Sequence, residues 1–304
     1  MPELPDVTLY VEALERRVVG RVLERVRVAN PFLVRTVRPS LTDAEGKRVL
    51  GVRRLGKRVV LALDDDLQLA LHLMIAGRLH WKEPGARLPT RVGLAAFDFP
   101  NGTLTLTEAG THRRAALHLV AGEDGLQELA RAGVEPLEAT SDRFASALRS
   151  ENRTLKRALT DPDIVSGVGN AYSDEILHRA RLSPIKLTRS LTDAEAARLH
   201  AATQAVLREW IDRLRAEAGD GFPERVTAFR PDFAAHGRYG RPCPVCGTGI
   251  ARIVRGENEA NYCPRCQTDG RLLADRALSR LLREDWPRTV DELEQRRLTR
   301  GYTD

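Results

Sequence analysis

The chain has 304 residues, of which 42% are hydrophobic and 30% charged, and its formal net charge is +6 at pH 7. This length suits two domains of ordinary size rather than a small disulfide-stapled scaffold. No apolar run approaches the ~20 residues of a membrane span, and the first residues lack the pattern of a signal peptide. We therefore expect a cytoplasmic protein that binds no membrane. The basic excess fits a nucleic-acid partner, although the strong preference for Arg over Lys is also what a G+C-rich genome produces.

Residues 1–134 predict one helix followed by short strands. Apolar residues recur at helical spacing from Val7 to Val18, and Gly20 ends the pattern. Strand-like runs follow, several of them ending at turn signals such as Asn101-Gly102. The runs are 22–28, 49–55, 58–63, 67–73, 93–99, 103–107 and 115–120. This pattern predicts an N-terminal β-sandwich domain with one N-terminal helix.

Residues 135–236 predict a second, helical domain. Apolar residues lie three and four positions apart in four segments, and Thr192 and Glu195 have the spacing of a helix capping box. The segments are 142–149, 153–159, 171–181 and 193–218. The fold class that follows is a multidomain α+β protein.

The four cysteines form two C-x2-C pairs with sixteen residues between them. This is the spacing of a zinc ribbon, in which each pair offers two thiolates to one tetrahedral metal. Two disulfides are the alternative, which a cytoplasmic location disfavours. We predict one structural zinc ion in a zinc finger at 237–271, with one hairpin arm at 250–254 and the other returning near Tyr262. The predicted ligands are Cys243, Cys246, Cys263 and Cys266.

Residues 272–304 predict a helical C-terminal extension. Its acidic and basic residues balance, which favours packing over contact with phosphate. The candidate apolar stripe consists of Leu273, Ala277, Leu278, Leu281 and Leu282.

Three separated motifs together resemble one enzyme family. The chain opens with Pro2-Glu3-Leu4-Pro5-Asp6, carries Gly167-Val168-Gly169-Asn170 in its middle, and has the four-cysteine ribbon in its C-terminal part. In this order the chain resembles the formamidopyrimidine-DNA glycosylase and endonuclease VIII family over about residues 1–270. The resemblance implies a base-excision repair enzyme that is both DNA glycosylase and abasic-site lyase, with a helix-two-turn-helix domain in the middle. It further implies damaged double-stranded DNA as the partner, held in a cleft between the two larger domains, a monomeric state and association with the nucleoid.

The residue types at positions 2 and 3 suit nucleophilic catalysis on a sugar. After removal of Met1, Pro2 would present a secondary amine, and α-amino groups with pKa values near ~7.7–8 are partly unprotonated at neutral pH. Such an amine can attack C1′ of a nucleotide and form an iminium. The resemblance implies that Glu3 assists opening of the sugar ring. The competing interpretation is that both residues merely lead into the first helix.

Further residues acquire roles through the resemblance. Gly169 and Asn170 would hold the phosphate beside the lesion, as exposed backbone N–H groups at a helix N-terminus favour an anion. Lys57, which we group with Pro2 and Glu3 as catalytic, would bind phosphate from a hairpin, although a solvated turn cation is the alternative. The strand that includes His72 would carry the residue filling the gap left by the flipped base, with Met74 and Ile75 as candidates.

The sequence departs from the family pattern at several positions. The zinc-finger arginine is replaced by Asn258, and Arg255 and Arg265 are the candidate substitutes, although neither is in the family's register. Positions 255 and 258 would face opposite sides of a regular strand, so substitution by Arg255 requires a turn between them. After the Asn101-Gly102 hairpin the family has an Arg-Phe wedge. In this chain the corresponding segment, residues 108–115, contains no aromatic residue, and His112 and Arg113 are the candidate DNA contacts. Asp6 stands where the family has Glu.

Several functions remain open on these residues. The first is removal of oxidised bases of the formamidopyrimidine or 8-oxoguanine kind, with strand cleavage by elimination through an N-terminal proline iminium. The second is an endonuclease VIII-like preference for oxidised pyrimidines or single strands. A non-catalytic binder of damaged DNA and a generic zinc-ribbon nucleic-acid module are the others.

Overall fold

The structure, a computed structural model, describes residues 1–110, 112–224, 226–227, 230–255, 258–274, 281, 283 and 286–299. The chain divides into two compact units, of which unit 1 comprises residues 1–132 and 207–228 and unit 2 comprises residues 133–206 and 229–304. Within the described residues, no helix has the length and apolar character needed to cross a bilayer.

Unit 1 is built from the helix α1 (Leu4–Val18), two antiparallel sheets and the C-terminal part of the helix Asp193–Ala218. Among the described residues, one sheet has the strand order β1-β3-β4-β5-β9 and the other β2-β7-β8-β6. The strands are β1 (Val22–Leu23), β2 (Arg25–Val28), β3 (Lys47–Leu55), β4 (Arg58–Leu63), β5 (Leu67–His72), β6 (Gly77–Lys82), β7 (Gly93–Phe99), β8 (Gly102–Glu108) and β9 (Ala116–Ala121). A short helix, α2 (Gly122–Gln127), follows. Apolar side chains of α1 and of both sheets form one core, which explains the alternating pattern of the sequence.

Two strand predictions in unit 1 were wrong in detail. The run 22–28 is two strands, because the chain passes at Glu24 from the first sheet to the second. Strand β6 was not predicted, and the predicted strand 67–73 ends at His72, where a turn leads into β6. Gly77, Arg78 and His80 give β6 little β-propensity, and its pairing with β8 stabilises it instead.

Unit 2 contains the predicted helices and the metal-ligand hairpin. Its elements are α3 (Ser141–Arg149), α4 (Leu155–Thr160), α5 (Asn170–Ala180), the start of α6 (Asp193–Ala218), β10 (Ala251–Arg255), β11 (Asn258–Tyr262), α7 (Pro264–Thr268) and α8 (Val290–Thr299). Helix α6 begins with the predicted capping box, since the Glu195 N–H donates to Thr192 Oγ1 at 3.2 Å and the Thr192 N–H donates to Glu195 Oε2 at 3.0 Å. The predicted fold class is therefore confirmed.

Only part of the candidate apolar stripe in residues 272–304 lies within the described residues. Ala277, Leu278 and Leu282 lie outside the described residues. Leu281 is 78% exposed, so this residue does not pack as the stripe required.

Candidate active site and metal centre

The N-terminal segment is buried and tightly fixed. Pro2 is buried, and Glu3 is 2% exposed at the N-cap of α1. The Glu3 side chain accepts the Asp6 backbone N–H, and the Glu3 N–H donates to Asp6 Oδ2 at 2.9 Å. This reciprocal capping box satisfies two of the free donors at the helix start. The Asp that replaces the family's Glu thus orients Glu3.

Lys57 and the N-terminal amine share the electrostatic environment of Glu3. Lys57 is half-buried in a two-residue turn between β3 and β4, where Gly56 has a φ of 60°. Burial lowers the pKa of Lys57, and the negative charge of Glu3 opposes this shift. In this structure the N-terminal amine belongs to Met1, and burial lowers its pKa; Glu3 and Asp6 raise this pKa, whereas Arg78 and Lys57 lower it further. Unit 1 therefore surrounds the start of the chain with a carboxylate and a lysine, in an environment that favours an unprotonated amine.

Met74 and Ile75 lie in the turn that joins β5 to β6, rather than on a strand as the sequence predicted. Met74 has a φ of 51°, and the side chain of Ile75 is 56% exposed. A Cβ atom at Gly77 would lie 2.3 Å from the carbonyl oxygen of Leu73, so the turn can close only on glycine. Of the two gap-filling candidates, Ile75 is presented to solvent.

His112 and Arg113 are exposed in the loop that follows β8, and Thr111 of this loop lies outside the described residues. The loop is fixed by Glu108, which is 1% exposed and accepts the backbone N–H groups of Arg114 at 2.9 Å and Ala115 at 3.0 Å. A run of three basic residues therefore stands where the family has its aromatic wedge.

In unit 2, Gly169 and Asn170 form the start of α5, as the resemblance implied. Gly169 is the N-cap residue, and Gly167 has a φ of 76°, which glycine adopts without strain. Ser173 Oγ donates to the Gly169 carbonyl oxygen at 2.6 Å, and Lys156 Nζ donates to the Asn170 carbonyl oxygen at 2.6 Å. The helix N-terminus thus has the geometry that favours an anion, with a lysine attached to it.

Sequence reasoning missed a buried ion pair behind this helix start. Asp174 is fully buried, accepts a hydrogen bond from Lys156 Nζ at 2.6 Å and lies 2.8 Å from His236 Nδ1. The Asn261 amide of β11 is 3.5 Å from the same carboxylate. The neighbouring Glu175 accepts backbone N–H groups of residues 234–236 at 2.7 to 2.9 Å, and burial raises its pKa. In the sequence, the only indication of this buried network is the pair of consecutive acids, Asp174 and Glu175, between apolar residues of α5.

The four predicted ligands lie together in unit 2. Their sulfur atoms are all within 4.8 Å of one another, with Cys243 to Cys266 at 4.0 Å and Cys246 to Cys263 at 3.4 Å. Tetrahedral zinc with Zn–S bonds of ~2.3 Å requires S···S separations of about 3.8 Å, and the two individual distances lie on either side of this value. A cluster of four thiolates leaves no position for water, so this zinc site is structural. His178 Nε2 of α5 lies 3.2 Å from Cys243 Sγ and orients that ligand.

The hairpin of β10 and β11 contains Asn258, the position at which the family has its zinc-finger arginine. Strand β10 ends at Arg255, strand β11 begins at Asn258, and these two positions are cross-strand partners. Gly256, where the required turn was placed, lies outside the described residues.

Comparison with known protein families covers most of the chain. Residues 1–119 match the formamidopyrimidine-DNA glycosylase N-terminal domain, residues 132–218 match the formamidopyrimidine-DNA glycosylase H2TH domain, and residues 240–268 match the zinc finger found in FPG and IleRS.

Individual relatives agree with these matches. The chain is 34% identical to the formamidopyrimidine-DNA glycosylase of Pelotomaculum thermopropionicum, over 88% of this chain and 99% of that one. It is 36% identical to the formamidopyrimidine-DNA glycosylase of Thermus thermophilus, over 89% of this chain and 100% of that one. The solved Thermus thermophilus structure has a TM-score of 0.74 at 34% identity and covers 88% of this chain and 98% of that one. The solved structure of a Lactococcus lactis Fpg in complex with DNA containing an abasic site has a TM-score of 0.78 at 25% identity. It covers 88% of this chain and 99% of that one.

These findings identify the class of protein. It is a base-excision repair DNA glycosylase with a helix-two-turn-helix domain and a zinc finger whose four ligands are cysteines. The chain belongs to the formamidopyrimidine-DNA glycosylase family, for which abasic-site lyase activity is known.

Proposed function

We propose that this enzyme removes oxidised bases of the formamidopyrimidine or 8-oxoguanine kind from double-stranded DNA and cleaves the abasic strand through Pro2. The observation that carries the proposal is that Pro2 is buried next to the buried Glu3, in surroundings that lower the pKa of the preceding Met1 amine. A stacked nucleotide does not expose C1′ to an amine, so the damaged nucleotide must leave the duplex first.

The chemistry divides between Pro2 and Glu3. The Pro2 nitrogen forms a bond to C1′, the glycosidic bond breaks, and the base leaves with the electron pair and the amine proton. The C1′–O4′ bond then breaks as Glu3 delivers a proton to O4′, leaving an iminium between C1′ and the nitrogen. Loss of a C2′ proton expels the 3′ phosphate, loss of a further sugar proton expels the 5′ phosphate, and water releases the sugar fragment from Pro2.

The remaining predicted site residues bind DNA in this proposal. Lys57, Gly169 and Asn170 hold phosphate, Met74 and Ile75 fill the gap in the stack, and His112, Arg113 and Arg255 contact the duplex. The four-part division into residues 1–134, 135–236, 237–271 and 272–304 remains our domain assignment. The proposed acting form is a monomer in the cytoplasm, associated with the nucleoid.

Borohydride trapping on a duplex with a preformed abasic site tests the nucleophile. The wild type should form a covalent adduct whose cross-linked peptide begins at Pro2, and Pro2→Gly should lose the adduct while still binding the duplex. Glu3→Gln should reduce base excision more than trapping, whereas Glu15→Gln, an exposed acid on the same helix, should change neither. A protein with an uncleaved N-terminal tag and full trapping activity would contradict this mechanism.

A second candidate function is an endonuclease VIII-like preference for oxidised pyrimidines. The observation in its favour is the loop after β8, which carries three basic residues and no aromatic wedge. A panel of duplexes, each with one oxidised purine or pyrimidine, separates the two substrate preferences by initial excision rate.

A further inference from the structure

Arg78, the second residue of β6, makes contacts that none of the assigned roles explains. Its guanidinium donates from Nε to the Val226 carbonyl oxygen at 2.6 Å, and from Nη1 to the carbonyl oxygens of Gly77 at 2.7 Å and Ile75 at 3.3 Å. These acceptors are neutral, so the hydrogen bonds fix the guanidinium without neutralising its charge.

The three carbonyls belong to two separate segments of unit 1. Ile75 belongs to the turn between β5 and β6, and Gly77 is the first residue of β6, directly after this turn. Val226 belongs to the segment after α6, is 7% exposed and packs into the sandwich core. Phe222 of the same segment packs on Tyr10 of α1 with ring centroids 5.7 Å apart. Arg78 therefore connects the gap-filling turn to a segment that is itself packed on the helix that follows Glu3.

Arg78 is also one of the charges that influence the amine at the start of the chain, which in this structure belongs to Met1. Tyr10 Oη accepts the backbone N–H of Leu79 at 3.3 Å, which holds α1 against β6 next to Arg78. The charged groups that influence the Met1 amine are Glu3, Asp6, Lys57 and Arg78. The two acids favour the protonated amine, whereas Arg78 and Lys57 favour the unprotonated one. Because removal of Met1 leaves the amine on the adjacent Pro2, loss of the Arg78 charge should raise the pKa of the Pro2 amine.

We infer that Arg78 is a positioning residue for both halves of the reaction: it fixes the turn that carries Ile75, and its positive charge acts on the amine that Pro2 presents after removal of Met1. The inference rests on the proposed function, because it assumes that Pro2 is the nucleophile. It predicts that hydrogen bonding and charge at this residue have separable effects.

Two variants separate these effects. Arg78→Lys retains the charge but cannot donate to both segments in the same geometry, so it should lower base excision by about tenfold or more while leaving the pH midpoint of trapping unchanged. Arg78→Gln loses the charge, so it should also move that midpoint to higher pH. Arg48→Gln is the matched control, because Arg48 is an exposed arginine of unit 1 that donates to the Gly20 carbonyl oxygen at 2.7 Å.

The experiment measures single-turnover borohydride trapping on a preformed abasic duplex from pH 5 to 9, together with excision of an oxidised base. A midpoint in Arg78→Gln equal to that of the wild type would overturn the electrostatic role, and wild-type excision by Arg78→Lys would overturn the positioning role. If Arg78→Gln fails to fold, as judged by circular dichroism, Arg78→Lys still tests the positioning role, and Arg78→Met then tests the charge. A wild type that forms no adduct would refute the proposed function instead.

Discussion

Replacement of Asp174 by Asn should destabilise unit 2 strongly. The Asp174 side chain is fully buried, and that of its partner Lys156 is 13% exposed, so the ammonium would keep its charge without a carboxylate to balance it. Breaking a buried ion pair by removal of one partner costs about 3–5 kcal/mol. Asn retains one oxygen for Lys156 and places an N–H₂ donor toward His236. We therefore expect a loss of unfolding free energy at the lower end of this range, about 3 kcal/mol.

Thermal unfolding followed by circular dichroism measures this loss. In a unit of roughly 150 residues, each kcal/mol shifts Tm by about 2–4 °C, so Asp174→Asn should lower the midpoint by about 6–12 °C. Asp193→Asn is the control, because Asp193 lies in the same unit, pairs with Arg149 and has a side chain that is 96% exposed. It should shift the midpoint far less, since exposed ion pairs contribute little.

A double variant tests whether the unbalanced lysine is the cause. Lys156→Met combined with Asp174→Asn removes both charges, so its loss of stability should be smaller than the sum of the two single losses. Additive losses, or an Asp174→Asn midpoint within error of the wild type, would refute the reasoning.

The remaining predictions concern the metal, DNA affinity and pH. Cys246→Ser should release the one zinc per chain, measured by elemental analysis, and weaken DNA binding; a metal-free wild type would contradict it. Arg255→Ala should reduce the slope of log K against log salt by about one and lower turnover, while Asn258→Ala changes little. An unchanged slope in Arg255→Ala would exclude this contact. Burial and the charges of Arg58 and Lys57 lower the pKa of His72 to about 4, so the wild type should lose stability as the pH falls from ~6.5 toward 4. His72→Gln should lose less over this range in urea titrations, and an equal loss would show that His72 is not responsible.

Local signals were sufficient where the determinants lie close in the sequence. The capping residues Thr192 and Glu195 and the apolar spacing after them predicted α6 with its observed bounds. The cysteine spacing likewise predicted the ligand cluster, because each C-x2-C pair forms one short turn. In both cases the interacting groups are a few residues apart or repeat a known spacing.

Determinants that are distant in the sequence could not be predicted in this way. Asp174 is 18 residues from Lys156 and 62 from His236, and nothing local to any of them indicates the others. Arg78 is 148 residues from Val226. Strand β6 was missed for the same reason, since its partner β8 stabilises it more than its own residues do.

The missing zinc-finger arginine shows how register changes an argument made from spacing alone. Counted along one continuous strand, positions 255 and 258 face opposite sides, which disfavours a substitution of one for the other. In the structure Arg255 ends β10, Asn258 begins β11, and the two positions are antiparallel cross-strand partners. Opposed positions of two paired strands are not related by the alternation along one strand. The argument against Arg255 from spacing along a single strand therefore does not apply here, and the salt dependence of the Arg255→Ala variant becomes a test of one specific cross-strand replacement.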